Sequence, residues 1–318
     1  MKILVTGGAG FIGSHIVEAL VRRGHRVRVI DNFFSGHRGN LAAVKADVEI
    51  LRGDCADPAA ARRSVRGIEA VFHEGAIPSV ARSVAEPLRC HRANGTATLT
   101  MLLAARDAGV RRFIYASSSS VYGDTPTLPK RETMEPRPLS PYAAEKLSGE
   151  HYLRIFHRLF GLETLSLRYF NIFGPRQDPS SPYSGVISRF TTALLAGQTP
   201  VIYGDGQQSR DFTYVGNVVD ANLRALTARG LDGEPVNVAA GRRVVLRALL
   251  SALARELGRP DEARHEPARA GDVKHSLADV SRARRLLGYR PRWDLEGGLK
   301  KTTAWYRESH RLRDRRSG

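Results

Sequence analysis

The chain has 318 residues, 42% of them apolar, which is enough for one large or two medium domains around a real core. Lysine and arginine outnumber the acids by 49 to 32, a formal charge of +17, yet the basic residues are scattered, and the one dense run, RLRDRRSG, has no interleaved aromatics on which bases could stack. This argues against a nucleic-acid partner; with no stretch near the ~20 apolar residues of a membrane span and no signal-peptide layout in MKILVTGG, the expectation is a cytoplasmic, globular protein.

In chain order, near-continuous apolar runs alternate with longer amphipathic stretches. KILVTG, RVRVID, VEILRGD, AVFHEGA, RFIYASSSS and ETLSLRYFN have the composition of strands buried on both faces, and segments such as SHIVEALVRRG and ATLTMLLAARDAG lie between them. The alternation predicts an α/β fold: a doubly wound parallel sheet with helices on both faces. After about residue 171 the rhythm breaks into GPRQDPSSPYSG and YGDGQQSRDF, where a smaller domain is expected, and VNVAAG at 236–241 returns to the sheet. The expected division is therefore 1–170, with 211–241 returning to it, and 171–318 for the smaller domain. Cys55 and Cys90 lack any metal or disulfide spacing and read as small buried residues, and no metal site is expected.

The first strand runs into TGGAGFIGS and then a helix. Gly7, Gly10 and Gly13 recur every third position, and Gly8, Gly10 and Gly13 also satisfy GxGxxG, which lets the backbone turn tightly and bring a helix N-terminus up to a pyrophosphate. Asp31 closes the second strand 18 residues after Gly13, where a carboxylate accepts hydrogen bonds from ribose hydroxyls and repels a 2′-phosphate, so NAD is favoured over NADP. Asp54, at the end of the third strand, is placed either to meet the adenine or to cap a helix.

Residues 140–146 read SPYAAEK. Ser140 and Pro141 spell a helix start, and Tyr142 and Lys146 then share one face a turn apart. A cation there favours the ionised phenol, so the pair could supply a base near neutral pH, although YxxxK alone is a weak signal on any surface helix.

With the glycine turn, Asp31 and YxxxK in register, the chain resembles the extended short-chain dehydrogenase/reductases, and within them the nucleotide-sugar 4-epimerases of the UDP-glucose and UDP-N-acetylglucosamine type. The resemblance runs from KILVTGGAGFIGSH through ASSSSVYGD, SPYAAEK, LRYFNIFGPRQDP and GDGQQSRDFTYVGNVVDAN to RAGDVKHSLADVSRARRLLGY. It implies a Rossmann-type sheet with a smaller C-terminal substrate-binding domain, a catalytic set of Ser118, Tyr142 and Lys146, and bound NAD. Cofactor contacts are implied from Gly7, Gly10, Phe11, Ile12, Gly13, Asp31, Asn32, Asp54, Cys55 and Asn94, and from Tyr142 and Lys146. Contacts to a UDP-sugar substrate are implied from Ser79, Ser118, Tyr142, Asn171, Arg210, Arg269, Asp272 and Ser276. Two departures stand out: Ala97 where the family has glycine, and Glu74 in HEGA where it has an apolar residue or a neutral amide.

In such a family the tyrosine removes the proton from the sugar O4 while the C4 hydride passes to NAD, and the transient 4-keto sugar turns over and takes the hydride back on its other face. A 4,6-dehydratase would need an acid pair after the serine, where this chain has Ser119 and Ser120; a UDP-glucuronate 4-epimerase usually has a different run after GPRQ than DPSSPYSG. A scaffold without catalysis would have a damaged Ser-Tyr-Lys set. Ser276 stands where a bulky tyrosine would crowd an acetamido group, so both plain and N-acetyl hexoses are expected to fit. The resemblance also implies a homodimer formed through helices around 95–108 and 142–159.

Overall fold

The computed structural model describes residues 1–178, 185–267 and 274–317, with side chains described as far as residue 309. All the strand-like runs become strands of one sheet: β1 Lys2–Thr6, β2 Arg26–Asp31, β3 Val48–Arg52, β4 Ala70–His73, β5 Arg112–Ser118, β6 Glu163–Tyr169 and the later strand Asp232–Val238. From one edge the order is Asp232–Val238, β6, β5, β4, β1, β2, β3, and every neighbouring pair is parallel. The chain winds outward from β1 to β3, then crosses back to β4 and winds the other way. That reversal lies between β1 and β4, and in an open parallel sheet it leaves a crevice at the strand C-termini.

Both faces of the sheet are covered, which is why its central strands need no polar alternation. On one face Ile16, Val17 and Leu20 of the helix Phe11–Arg22 pack in one cluster with Val218 and Ala221 of the helix Val215–Ala225. On the other, Met101, Leu102 and Ala105 of Ala97–Asp107 cluster with Leu153 and Phe156 of Pro141–Phe160. A third core, built on Phe190, Leu194, Phe212, Leu249 and Leu253, belongs to the later part of the chain and meets the glycine turn through Phe11 and Ile12.

The helix Pro141–Phe160 starts and stops where its local chemistry dictates. Ser140 Oγ accepts the Ala143 N–H at 3.2 Å, Pro141 occupies the first turn, and Gly161 ends the helix in the left-handed region at φ +68°. Tyr142 is thereby fixed at the helix entrance, beside the end of β5.

Candidate active site

The C-terminal ends of β1, β2, β4 and β5 open into a cleft of about 570 Å³. One wall is the glycine turn. Gly7 has φ +61°, and a Cβ there would lie 2.7 Å from the Gly75 backbone. A Cβ on Gly13 would sit 2.3 Å from the Gly7 carbonyl oxygen, so this turn closes only with a bare backbone. The helix that follows has Gly10 at its N-cap with no side-chain cap, which leaves first-turn N–H groups for an anion; Gly7, Gly10, Phe11, Ile12 and Gly13 all line the cleft.

At the end of β2, Asp31 Oδ2 accepts the Ala9 N–H at 2.9 Å and Oδ1 the Phe33 N–H at 2.8 Å. Those bonds fix the carboxylate on the cleft wall, while burial raises its pKa. Asn32 lines the wall beside it and accepts the Phe34 N–H. Asp54 also lines the cleft and is not a helix cap: its carboxylate takes the Ala56 N–H, and Asp57 caps Pro58–Ser64 instead. Cys55 lies alongside, its thiol pushed up to about 12 by burial, which keeps it unreactive.

The opposite wall carries the reactive groups. Ser118 ends β5, accepts the Ser120 N–H at 3.2 Å and the Ser120 hydroxyl at 3.0 Å, and its hydroxyl is close enough to the Tyr142 phenol to pull the phenol's pKa down. The Tyr142 backbone N–H donates to Ser83 Oγ, and Lys146 Nζ donates to the Ala116 carbonyl at 2.7 Å. The fold thus brings Tyr142 and Lys146 to the cleft wall, with Ser118 beside Tyr142 but not itself in the lining, and with electrostatics other than those the spacing suggested. Burial raises the Tyr142 pKa above the ordinary phenol value, and the Ser118 hydroxyl pulls the other way without reversing it. The Lys146 ammonium sits 5.9 Å from the Tyr142 ring centroid, bonded elsewhere, and is itself lowered to about 8 by burial.

Glu74 follows β4 on the cleft wall. The Tyr169 hydroxyl donates to its Oε1 at 2.9 Å, and Asn222 Nδ2 donates to the Tyr169 oxygen at 2.8 Å. Burial raises the carboxyl to about 7, against the opposing pull of Tyr169 and Lys146. Asn94 does not reach the cleft lining. It lies in a widened π-helical turn, Arg92–Thr96, and its Oδ1 accepts the Ile77 N–H at 2.8 Å, steadying the Ile77–Ser79 segment that does line the cleft. That turn is pinned by Glu145, which accepts the Gly95 N–H at 2.8 Å and meets His91 at 2.9 Å. Ser79 caps Val80–Ala85 through the Arg82 N–H.

A second pocket of about 210 Å³ is lined by Asn171, Arg189, Phe190, Tyr203, Arg210 and Phe212, and shares Gln177 and Gly185 with the cleft. Asn171 stands at φ +41°, with Nδ2 donating to the Asp211 carbonyl at 3.2 Å and approaching Ser276 Oγ at 3.4 Å. Arg210 Nη1 reaches the carbonyls of Ser209 and Lys274. Ser276 thus stands beside Asn171 without lining either cavity; Arg269 and Asp272 lie outside the described residues.

Residues 3–239 match the model of the NAD dependent epimerase/dehydratase family. The chain belongs to that family. Over 316 residues it is 40% identical to a UDP-glucose 4-epimerase of Mycolicibacterium smegmatis, covering 96% of this chain and 99% of the relative. The solved UDP-N-acetylglucosamine 4-epimerase from Methanobrevibacter ruminantium, in complex with UDP-N-acetylmuramic acid, is 41% identical with a TM-score of 0.93 over 97% of this chain and 98% of its own. The Thermus thermophilus UDP-glucose 4-epimerase, solved with NAD, is 38% identical with a TM-score of 0.89 over 96% of this chain and 99% of its own.

NAD is the family's cofactor, and this epimerase/dehydratase cleft fits it. The glycine turn excludes any Cβ where a pyrophosphate approaches, the helix N-terminus beyond it is uncapped, and Asp31 offers a carboxylate suited to ribose hydroxyls. Several lining residues had no signal in the sequence. Phe34 is one, its ring facing Arg89 at 4.4 Å and Arg82 at 5.3 Å; Tyr169 is another, although it sits in the quoted RYFN two places before Asn171. Tertiary folding alone brings them to the cleft.

Proposed function

We propose that the protein is a UDP-hexose 4-epimerase that interconverts UDP-glucose and UDP-galactose and accepts their N-acetyl counterparts. The observation that supports this reading is Tyr142 and Lys146, one turn apart, lining a cleft whose far wall is the glycine turn, with Ser118 close enough to act on the Tyr142 phenol and hydroxyls, not an acid pair, at Ser119 and Ser120. Tyr142 takes the proton from the sugar O4 and later returns it; Ser118 holds the reacting oxygen; Lys146 binds the nicotinamide ribose. Bound NAD supplies the acceptor, and later the donor, of the sugar's C4 hydride. The smaller pocket suits the nucleoside diphosphate, with aromatic walls for a flat base and Arg189 and Arg210 for phosphate oxygens. In this reading residues 171–318, apart from 211–241 which return to the sheet, are mainly the substrate domain, built around the third core.

Incubating the purified protein with UDP-glucose, UDP-galactose, both N-acetyl sugars and UDP-glucuronate tests it directly. Epimers of the first four are expected. A 4-keto-6-deoxy product would make the protein a dehydratase, and turnover of UDP-glucuronate alone would move the assignment to that substrate.

A further inference from the structure

Glu74 is a titratable group at the reactive end of the cleft that the proposed mechanism does not use. It lines the same cleft as Tyr142 and Lys146, and Lys146 is the cation that acts on it. Its carboxyl is fixed from behind: Tyr169 of β6 donates to it, and Asn222 of Val215–Ala225 holds Tyr169 in turn. Glu145 and Glu150 of the long helix also act on Lys146, each less than Glu74 does, and His73 on the strand before Glu74 is a buried imidazole kept neutral between Thr6 and Thr98.

We propose that Glu74 is a positioning residue for charge: opposite Lys146, its carboxylate cancels the ammonium's field at the nicotinamide end and holds the bound dinucleotide in its oxidised form. The inference rests on the reading that Tyr142 and Lys146 mark that end of the cleft. An oxidised nicotinamide ring carries one positive charge and a reduced ring none, the difference being a hydride, one proton with two electrons, which the sugar C4–H bond supplies and takes back. Beside a lone ammonium the oxidised ring is disfavoured. Beside an ammonium–carboxylate pair the repulsion is offset. A unit charge several ångströms away in a site of effective dielectric near ~20 shifts the balance by roughly tenfold. The consequence is a cofactor that returns its hydride promptly, leaving the keto sugar less time to escape.

The test compares wild type, Glu74→Gln and Glu74→Asp as holoenzymes at pH values between about 7 and 8, where Glu74 is ionised and Lys146 still holds its proton, reading the reduction potential of the bound couple and the ratio of NAD to NADH dissociation constants. Glu74→Gln keeps the size and can still accept the Tyr169 hydroxyl but carries no charge. It should shift the ratio about tenfold towards NADH, raising the potential by about 30 mV for a two-electron couple. Glu74→Asp keeps the charge and should stay within a few-fold of wild type. An unchanged potential in Glu74→Gln, or an aspartate that behaves like the glutamine, overturns the proposal. Failure to form any epimer with a normal shift in potential would instead overturn the substrate reading and leave this one standing.

Discussion

At the level of single residues, the phenol of Tyr142 has the most at stake. Tyr142→Phe keeps the ring and its packing and deletes the ionisable oxygen, so NAD should be retained while turnover falls by about 10²-fold or more. Activity near wild type, measured as epimer formed per bound NAD, would remove Tyr142 from the role of base. Ser276 gives a sharper discrimination. It lines neither cavity but stands beside Asn171, at the position the resemblance sets against an acetamido arm, and overpacking such a site costs about 1–3 kcal/mol, or one to two decades in rate. Ser276→Tyr should therefore suppress the N-acetyl sugars by that factor and leave plain hexoses within a few-fold; equal losses on both classes would deny it the role of gate. Glu74 leaves a mark on stability too. Its folded-state pKa, about 7, lies above the ordinary 4.5, so the neutral acid is the form the fold favours, and that contribution is full below about pH 4.5 and lost as the pH rises through about 7. The shift corresponds to on the order of 3 kcal/mol. In dinucleotide-free protein the melting temperature of wild type should fall relative to Glu74→Gln between about pH 5 and pH 8, and parallel curves would contradict it.

At the level of elements, what was legible in the sequence was what local chemistry alone determines. Ser140 and Pro141 had to start a helix, Gly7 and Gly13 had to turn without side chains, and Asp31 had to end a strand; each does so. What was illegible depends on burial and on partners far along the chain. The spacing of Tyr142 and Lys146 suggested a lowered phenol, and only the fold shows desolvation outweighing the distant ammonium. Asp54 could be weighed between cofactor wall and helix cap, but Asp57, three residues on, takes the cap. Asn94 steadies Ile77 at the backbone, a contact that no motif encodes. The glycine turn yields its own prediction. Gly13→Ala must displace the Gly7 carbonyl, which a Cβ would approach to 2.3 Å, so NAD affinity should fall by at least about tenfold in a titration while the sheet stays folded; unaltered affinity would mean the turn can relax.

At the level of the whole molecule, two short helices and a long one expose apolar side chains: Val84 at 65%, Leu88 at 85% and Leu159 at 69%. Exposure of this kind commonly marks a surface that is covered in solution. The dimer expected through helices around 95–108 and 142–159 stays a proposal; of these exposed side chains only Leu159 lies on one of those helices, Val84 and Leu88 belonging to Val80–Ala85 and Pro87–His91. Leu88→Asp combined with Leu159→Asp should give a monomer by light scattering, while a monomeric wild type would end the expectation. One tie described above reaches between these regions. Glu145, a letter of SPYAAEK between the tyrosine and the lysine, grips the widened turn at Gly95, while Asn94 in the same turn grips the cleft wall at Ile77. The helix that presents the base and the wall that borders the cleft are thus buttressed against each other through the Glu145 carboxylate, in addition to the Tyr142 N–H bond to Ser83. In genetic terms, a lesion at Glu145 should behave like a lesion in the wall, and compensating changes should be sought at His91 and Gly95 sooner than beside the phenol.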